Sequence, residues 1–408
     1  MSIEKLRKKL KHKRTRGLIR YDYYEQKQRA LDLGISTPEG LQWFNCVNGW
    51  CTKAVDGLAD RLQFDTFEND NFYFAELFNQ NNPDIFFDDA ILSALITSCS
   101  FVYISRGEED RIRFQIIDGT NATGTLDDFT KLLVEGYAVL DRDDNGNVVT
   151  EAYFTPGKTE VYSIVDKRME LIATEEFESK YCALVPIIYK PDAKRPFGHS
   201  RITRACMDYS KSAMRTVKRT EISAEFYSFP QKYATGLSQD AEMLDSWQAT
   251  MSAMLTFTKD EDGDRPTLGQ FQQGSMSPHV EQLKSTASMF AGETGLTLDD
   301  LGFVTSNPSS AEAIRAGHEG LRLMAAKAQR CFSVGFKNVG YIGACMRDGV
   351  AYEREELFET RILWRPVFEP DAAALSLIGD GAIKLNQAMA DGGTYINEDR
   401  MRRLTGIE

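Results

Sequence analysis

The sequence predicts an α+β fold, mainly α-helical, with a small antiparallel sheet. Three observations carry this. Apolar residues recur every three or four positions before about residue 98 and again after about residue 200. Between 101 and 190 the period switches to two, with turn signals at Asn145-Gly146 and Pro156-Gly157. Finally, "GETGLTLDDLGFVTSNPSSAEAIRAGHEGL", residues 292–321, joins two helical patterns through an irregular connection. Connections in helical bundles usually take about 2–8 residues, and longer ones tend to be functional.

The elements follow in order. "MSIEKLRKKLKHKRTRG" carries eight Lys/Arg against Glu4, so +7 of charge sits there and −19 on the rest of a chain whose net charge is −12. A basic arm on an acidic body is expected, either a tether to nucleic acid or membrane or a solvated, frayed terminus. In "GLQWFNCVNGWCTKAVDGLADRL", Phe44, Val47, Cys51, Val55, Leu58 and Leu62 predict one amphipathic helix. "AILSALITSCSFVYI" has fifteen residues, short of the roughly 20 that span a bilayer, and reads as buried core. "FVYISR", "EGYAVLDRDDNGNVVTEAYFT", "KTEVYSIVD" and "ALVPIIYK" predict the sheet. A long helix over 200–227 meets Pro230, and a mixed segment follows with Gly/Asp-rich "KDEDGDRPTLGQFQQGS" at 259–275.

The next helix opens at Ser277-Pro278, shows Val280, Leu283, Ala287 and Phe290 on one face, and stops near Gly292 or Gly295. Pro308, Ser309 as N-cap and Glu312 predict that a further helix starts at about 310. Its apolar spacing continues through Ile314, Gly317, Leu321 and onward to Met346, on the order of 50 Å. Gly317, Ala328, Gly335 and Gly343 allow close backbone approach, either to a neighbouring subunit or within an ordinary core. "FETRILWRPVFEP" is β-like, and a last helical region begins at Asp371.

Several catalytic signatures fail on context. "GKT" at 157–159 lacks the first glycine of a phosphate loop and turns between strands. "DRDDNGN" has Ala152 where a calcium loop needs Glu, and reads as a hairpin turn. "KDEDGD" at 259–264 could attract a cation weakly, though a solvated loop is the better reading. The four histidines, 12, 199, 279 and 318, stand outside zinc-ligand spacings, and Ser200 beside His199 lacks a nucleophile elbow. Seven cysteines, scattered in apolar runs, read as reduced core thiols. Charge rather than an apolar run follows Met1, which argues against a signal peptide and for an intracellular protein. No cofactor is implied. Arg201, Arg204, Lys211, Arg215 and Lys218 fall near one helical face, a basic stripe that either tracks phosphates or meets solvent or another subunit.

Taken in order, the motifs resemble the portal proteins of tailed bacteriophages. "YDYYEQKQRALDLGI" and "NCVNGWCTKAVDGLADRL" are similar to the family's N-terminal segments. "PFGHSRITRACMDYSKSAMRTVKRTEISAEFYSFPQKYATG" is similar to its proline-glycine entry, long helix and P-Q…G exit. Most specific is "ETGLTLDDLGFVTSNPSSAEAI", with "LWRP" and "GTYINEDRMRRLTGI" fitting less specifically.

The resemblance implies a non-enzymatic ring of identical subunits, usually twelve, at one capsid vertex. Double-stranded DNA would pass through it, the terminase packaging motor and later the head-completion or adaptor proteins would dock on it, and capsid or scaffold protein would surround it. It would form in the host cytoplasm and end in the virion, without a membrane. Carried onto this chain, 1–20 is the basic arm, 21–199 the wing, 200–229 and 277–295 the stem helices and 230–276 the clip. The remainder divides into a channel loop at 296–309, the long helix at 310–346, a wing β segment at 347–370 and a crown-like region at 371–408. The loop would bring Asp299, Asp300, Thr305, Ser306 and Asn307 close to passing DNA, where an acidic lining repels phosphates and favours sliding. The stripe at 201–218 does not obviously agree with such a lining. The chain stops at "RRLTGIE", where many relatives continue, so the resemblance implies a reduced crown or a missing tail. Two alternatives from other classes are a viral nucleic-acid-processing enzyme with a metal site at 259–264, and a head-to-tail adaptor ring, against which length and the two-helix loop argue.

Overall fold

The structure, a computed structural model, describes residues 3–30, 44–165, 168–228, 232–235, 267–270, 274–303, 314, 316–368, 372–388 and 396–405. They divide into two compact units, one of residues 1–27, 49–207 and 291–408, the other of 28–48 and 208–290.

The first unit is built round helix α4 (Pro83–Thr97), strand β2 (Cys99–Arg106) and helix α7 (Glu319–Asp348). Ser98, at φ +95°, turns α4 into β2, so the apolar run from Ala90 is half helix and half strand, and Ala90, Ile91, Leu95, Phe101 and Val102 are all buried. Core placement of that run is as expected, and among the described residues no helix is long and apolar enough to cross a membrane. Short helix α3 (Phe74–Asn79) and α4 bring Phe78 and Phe87 together, stacked at 5.2 Å, and the Phe336 ring of α7 meets Phe87 edge-on at 4.6 Å. The small residues of α7 serve this core: a Cβ at Gly340 would stand 2.8 Å from the Phe74 ring, and one at Gly335 2.8 Å from Ile187. At these two positions the close approach is made within the chain.

The expected sheet resolves into two. Strands β3 (Ile112–Ile117), β2 and β9 (Leu184–Ile188) form one, in that order. The other is an antiparallel meander of β4 (Ala122–Leu126), β5 (Leu133–Arg142), β6 (Val148–Thr155), β7 (Lys158–Val165) and β8 (Arg168–Glu176). Pairing between β2 and β9, Cys99 opposite Ile188, spans the whole meander in sequence, so no local pattern could separate the sheets. "DRDDNGN" is the β5–β6 turn: Gly146 takes φ +79° and the Asp143 carboxylate accepts from the backbone N–H groups of Asn145 and Asn147. "GKT" likewise lies at the β6–β7 turn, with Gly157 at φ +68°.

Three expectations are corrected. The basic N-terminal stretch is helix α1 (Ile3–Tyr24), whose buried Leu6 and Leu10 pack on Tyr137 and Val139 of β5, because its apolar residues return every four positions among the cations. The amphipathic helix expected from about residue 40 is shorter, α2 (Trp50–Ala59): residues 44–49 are irregular, Gly49 is the N-cap, and Val47 is exposed. The N-terminal region also contains strand β1 (Phe64–Glu68), which pairs with β12 (Arg361–Trp364) some three hundred residues later. Helices α8 (Ala372–Gln387) and α9 (Glu398–Thr405) form the expected C-terminal helical region.

The second unit holds most of α5 (Arg204–Ser228) and α6 (Ser277–Thr294), together with the antiparallel pair β10 (Lys232–Thr235) and β11 (Thr267–Gln270). On α5, Ser210, Ala213 and Met214 are buried; on α6, Ala287 and Phe290 are buried while Val280 is exposed. Both helices have the expected bounds to within a few residues, and most of 230–276 lies outside the described residues.

Candidate functional site

The described part of the expected channel loop is a tight corner after α6. Gly295, at φ +69°, ends the helix in the left-handed conformation that glycine adopts without strain, and a Cβ there would stand 2.8 Å from Met324 Cε. Leu296 is buried, and the surface of α2 at Gly57 faces its Cδ2. Thr297 and Asp300 then lock one turn: the Asp300 carboxylate accepts from the Thr297 N–H at 2.8 Å and its hydroxyl at 2.9 Å, while the Asp300 N–H donates to that hydroxyl at 3.2 Å. Backbone bonds from Gly302 N to Asp299 O, 3.0 Å, and Phe303 N to Leu298 O, 3.0 Å, close the corner, with Gly302 at φ +88°. The Trp50 ring stands edge-on to Phe303 at 6.4 Å.

The two aspartates therefore differ. Asp299 is exposed, whereas Asp300 is half-buried and committed to Thr297, with His318 Nδ1 3.7 Å away. The signal for Asp300 was present as Thr-x-x-Asp in "TLDD", a reciprocal cap pattern. No sequence pattern points to His318, because its approach to Asp300 is tertiary. Thr305, Ser306 and Asn307, and the helix-start signature at Ser309 and Glu312, lie outside the described residues. Within the described part, the helix expected from 310 is interrupted at His318, φ −92° and ψ 1°, and is continuous only from Glu319.

The basic stripe does not form as one exposed face. Arg201 precedes α5, is 6% exposed, and sends its guanidinium inward: Nε donates to Ala54 O at 3.1 Å, Nη2 donates to Thr294 O, and Nη1 lies 3.0 Å from Met324 Sδ. It thus joins α2, the end of α6 and α7, and caps the open C-terminal carbonyl of Thr294. Lys218 is buried, Lys211 and Arg215 are half-buried, and Arg204 is exposed.

Chemistry-bearing groups elsewhere are held inert. Burial pushes the thiols of Cys182, Cys206 and Cys345 up, away from the reactive thiolate. All seven cysteines are free, six of them buried. Ser200 Oγ donates to Ile96 O at 2.6 Å, and His199 Nε2 lies 2.5 Å from Asp192, so the two neighbours are engaged separately. Among the described residues no group of three or more His, Cys, Asp or Glu is placed to hold a metal, and the acidic 259–264 segment lies outside them.

Fold and corner together define an α+β chain of helices and antiparallel sheets with a locked turn after α6. Comparison supplies the particular kind. The portal protein of Mycobacterium phage L5 is 22% identical over 412 residues, covering 93% of this chain and 83% of its own length. That of Mycobacterium phage D29 is 24% identical over 417 residues, with the same coverage. The resemblance to tailed-phage portal proteins is thus borne out across nearly the whole chain. No family model matches. Among solved structures, a chain of the virion of a native gene transfer agent particle aligns at TM-score 0.47 and 12% identity, covering 88% of this chain and 90% of that one. A chain from the neck of the native particle, computed with C12 symmetry, aligns at 0.49 and 13% with the same coverage.

Proposed function

We propose that the protein is a portal subunit: a non-enzymatic protomer of a closed ring, twelve copies by the family's habit, set at one capsid vertex of a virion. The observation that carries this reading is the similarity to two portal proteins over 93% of the chain. The sequence order of helix α5, helix α6, locked corner and long helix α7 agrees with it. In this reading α5 and α6 are stem helices, 230–276 the clip, the meander part of the wing, and 371–408 a crown-like region. Double-stranded DNA passes the corner, with Asp299 as the described carboxylate that faces it and repels phosphates. The packaging motor and head-completion proteins dock on the ring, capsid or scaffold protein surrounds it, and assembly takes place in the host cytoplasm.

The test is the mass of the purified protein in solution, with negative-stain imaging of the same sample. Closed rings with a central hole are expected. A strict monomer at high concentration, unchanged by capsid or scaffold protein, would overturn the ring.

A further inference from the structure

Helix α1 presents a concentration of positive charge that the channel reading leaves unused. Lys9, His12, Lys13, Arg16 and Arg20 line one side of a 430 Å³ pocket, and Arg195 lines the other. They recur about once per helical turn, and eleven residues at 1.5 Å rise place the outermost two roughly 16 Å apart. The walls are fixed. A Cβ at Gly17 would stand 2.4 Å from Thr120 Cγ2, so α1 lies hard against the floor, and Gly198, at φ +76°, packs on Tyr189 O.

The cations are oriented by neutral groups. Lys9 Nζ donates to Gly124 O at 2.6 Å and sits 4.9 Å over the Phe197 ring. Lys13 Nζ lies 2.9 Å from Cys99 Sγ and over the rings of Phe101 and Phe197. Arg20 Nη1 donates to Thr97 O at 3.5 Å, and Arg195 Nη1 lies 3.3 Å from His199. Among the described residues none of these five Lys/Arg side chains forms an ion pair with a carboxylate; the Asp192 carboxylate lies against His199 Nε2 and accepts the backbone N–H of Arg195 at 2.6 Å. Burial, then the charges of Arg16 and Arg195, push the Arg20 pKa down, and burial followed by Lys13 does the same to Lys9. Like charges are held together with none of the five side chains salt-bridged to a carboxylate among the described residues.

We propose that this pocket grips a phosphodiester backbone, making it a nucleic-acid contact distinct from the corner at 292–303. Lys9, Lys13, Arg16 and Arg20 in a straight row, about one per turn, with Arg195 facing them, match an anion whose charges repeat regularly along its length. Phosphates recur every 3.4 Å of axis along one strand, so the row spans about five of them. A phosphodiester carries a charge on every nucleotide whatever its sequence, whereas an acidic polypeptide carries one only where Asp or Glu occurs. With no base-reading group in the row, the contact is one of charge and has no sequence preference.

The experiment uses the full chain and a labelled 20-base-pair DNA duplex, with affinity followed by fluorescence anisotropy across salt. The double variant Lys9→Gln/Arg16→Gln is expected to bind at least tenfold more weakly and to lower the log–log salt slope by about 2, at ~0.9 for each phosphate no longer neutralised. Lys5→Gln/Lys8→Gln removes the same charge from α1 outside the pocket and is expected to keep the slope to within about half that change. Circular dichroism confirms that each variant keeps its helices. Equal losses from both pairs, or no loss from the first, would overturn the site. So would a labelled polyglutamate peptide that binds the pocket in preference to DNA. Solution mass decides the portal reading separately.

Discussion

Arg7, on the first helix, closes on Glu151, in the middle of β6, across 144 residues of sequence. Glu151 is 1% exposed, and the Tyr137 hydroxyl donates at 2.6 Å to its Oε2, which also accepts from Arg7 Nε at 3.3 Å. A buried carboxylate with two donors is what turns a run of cations into a docked helix: Leu6 and Leu10 provide the apolar contact, and Arg7 fixes its register.

Removing Arg7 leaves Glu151 charged and buried with Tyr137 alone. Arg7→Met is therefore expected to cost about 2 kcal/mol, the low side for a buried pair because the arginine is partly exposed and screened. Glu151→Gln keeps an acceptor for Tyr137 and buries no charge, so its cost is expected to be smaller. Urea denaturation of both variants checks the order. Equal stability of Arg7→Met and wild type would show that the Arg7–Glu151 pair adds nothing to the docking of α1.

Arg201, unlike Arg7, is itself buried, and its role rests on the fork of its guanidinium. Its Nε and Nη2 reach Ala54 O and Thr294 O at once from one rigid plane, a geometry that a single ammonium nitrogen does not reproduce. Arg201→Lys is expected to lose most of what Arg201→Ala loses, roughly 3 kcal/mol, as two charge-assisted bonds to helix carbonyls. Full rescue by lysine would mean that charge rather than geometry matters there.

Gly295 and Gly349 both end helices at positive φ, +69° and +65°. At Gly349 nothing lies within 4 Å of a built Cβ, whereas at Gly295 Met324 Cε stands at 2.8 Å. Gly349→Ala is expected to cost only backbone strain, about 1 kcal/mol. Gly295→Ala is expected to cost more, and Met324→Ala is expected to recover part of the difference. Thermal melts of the three variants and the double variant test that non-additivity.

How far these features were legible depends on the range of the interactions behind them. Periodicity placed α5, α6 and strands β5, β6 and β7 of the meander because each pattern is completed within its own element, whereas β4 and β8 went unmarked. The β1–β12 pair escaped, since Phe64 meets Trp364 only in the fold. The reading of 201–218 as a stripe failed at Arg201 for the same reason: helical spacing says which residues share a side, but Ala54 and Thr294 decide that this one turns inward. Likewise charge dominates the N-terminal stretch in sequence, while its leucines, spaced for a helix, find their partners Tyr137 and Val139 only in the fold.

The acid limit of stability has a traceable part. Asp348, at the end of α7, takes two hydrogen bonds from Arg347, 2.8 and 2.7 Å, and one from Tyr352, 3.0 Å, and these hold its carboxyl below the usual range. A carboxyl lower in the folded than in the unfolded chain contributes stability that is complete above the unfolded pKa and lost as pH falls through the folded one. The loss therefore falls below about pH 4. Asp348→Asn is expected to lower stability at neutral pH and to flatten this acid-side decline, as melts from neutral pH downward would show. An unaltered decline would place the proton uptake elsewhere.

Asp299 and Asp300 are adjacent in sequence and opposite in consequence. Asp300 is the acceptor that closes the turn on Thr297, so Asp300→Ala removes two bonds to its carboxylate and is expected to cost about 1–2 kcal/mol, as lost caps do. Asp299 is exposed and its substitution is expected to move stability by no more than about 0.5 kcal/mol. If the corner lines a DNA path, the functional order is different: Asp299→Lys places a phosphate-binding charge where repulsion is required, and should slow DNA through assembled particles while leaving ring formation intact. Packaging assays with Asp299→Asn and Asp299→Lys separate loss of repulsion from gain of attraction. Unimpaired packaging by the lysine variant would remove Asp299 from the DNA path, whatever the stability of the corner that carries it.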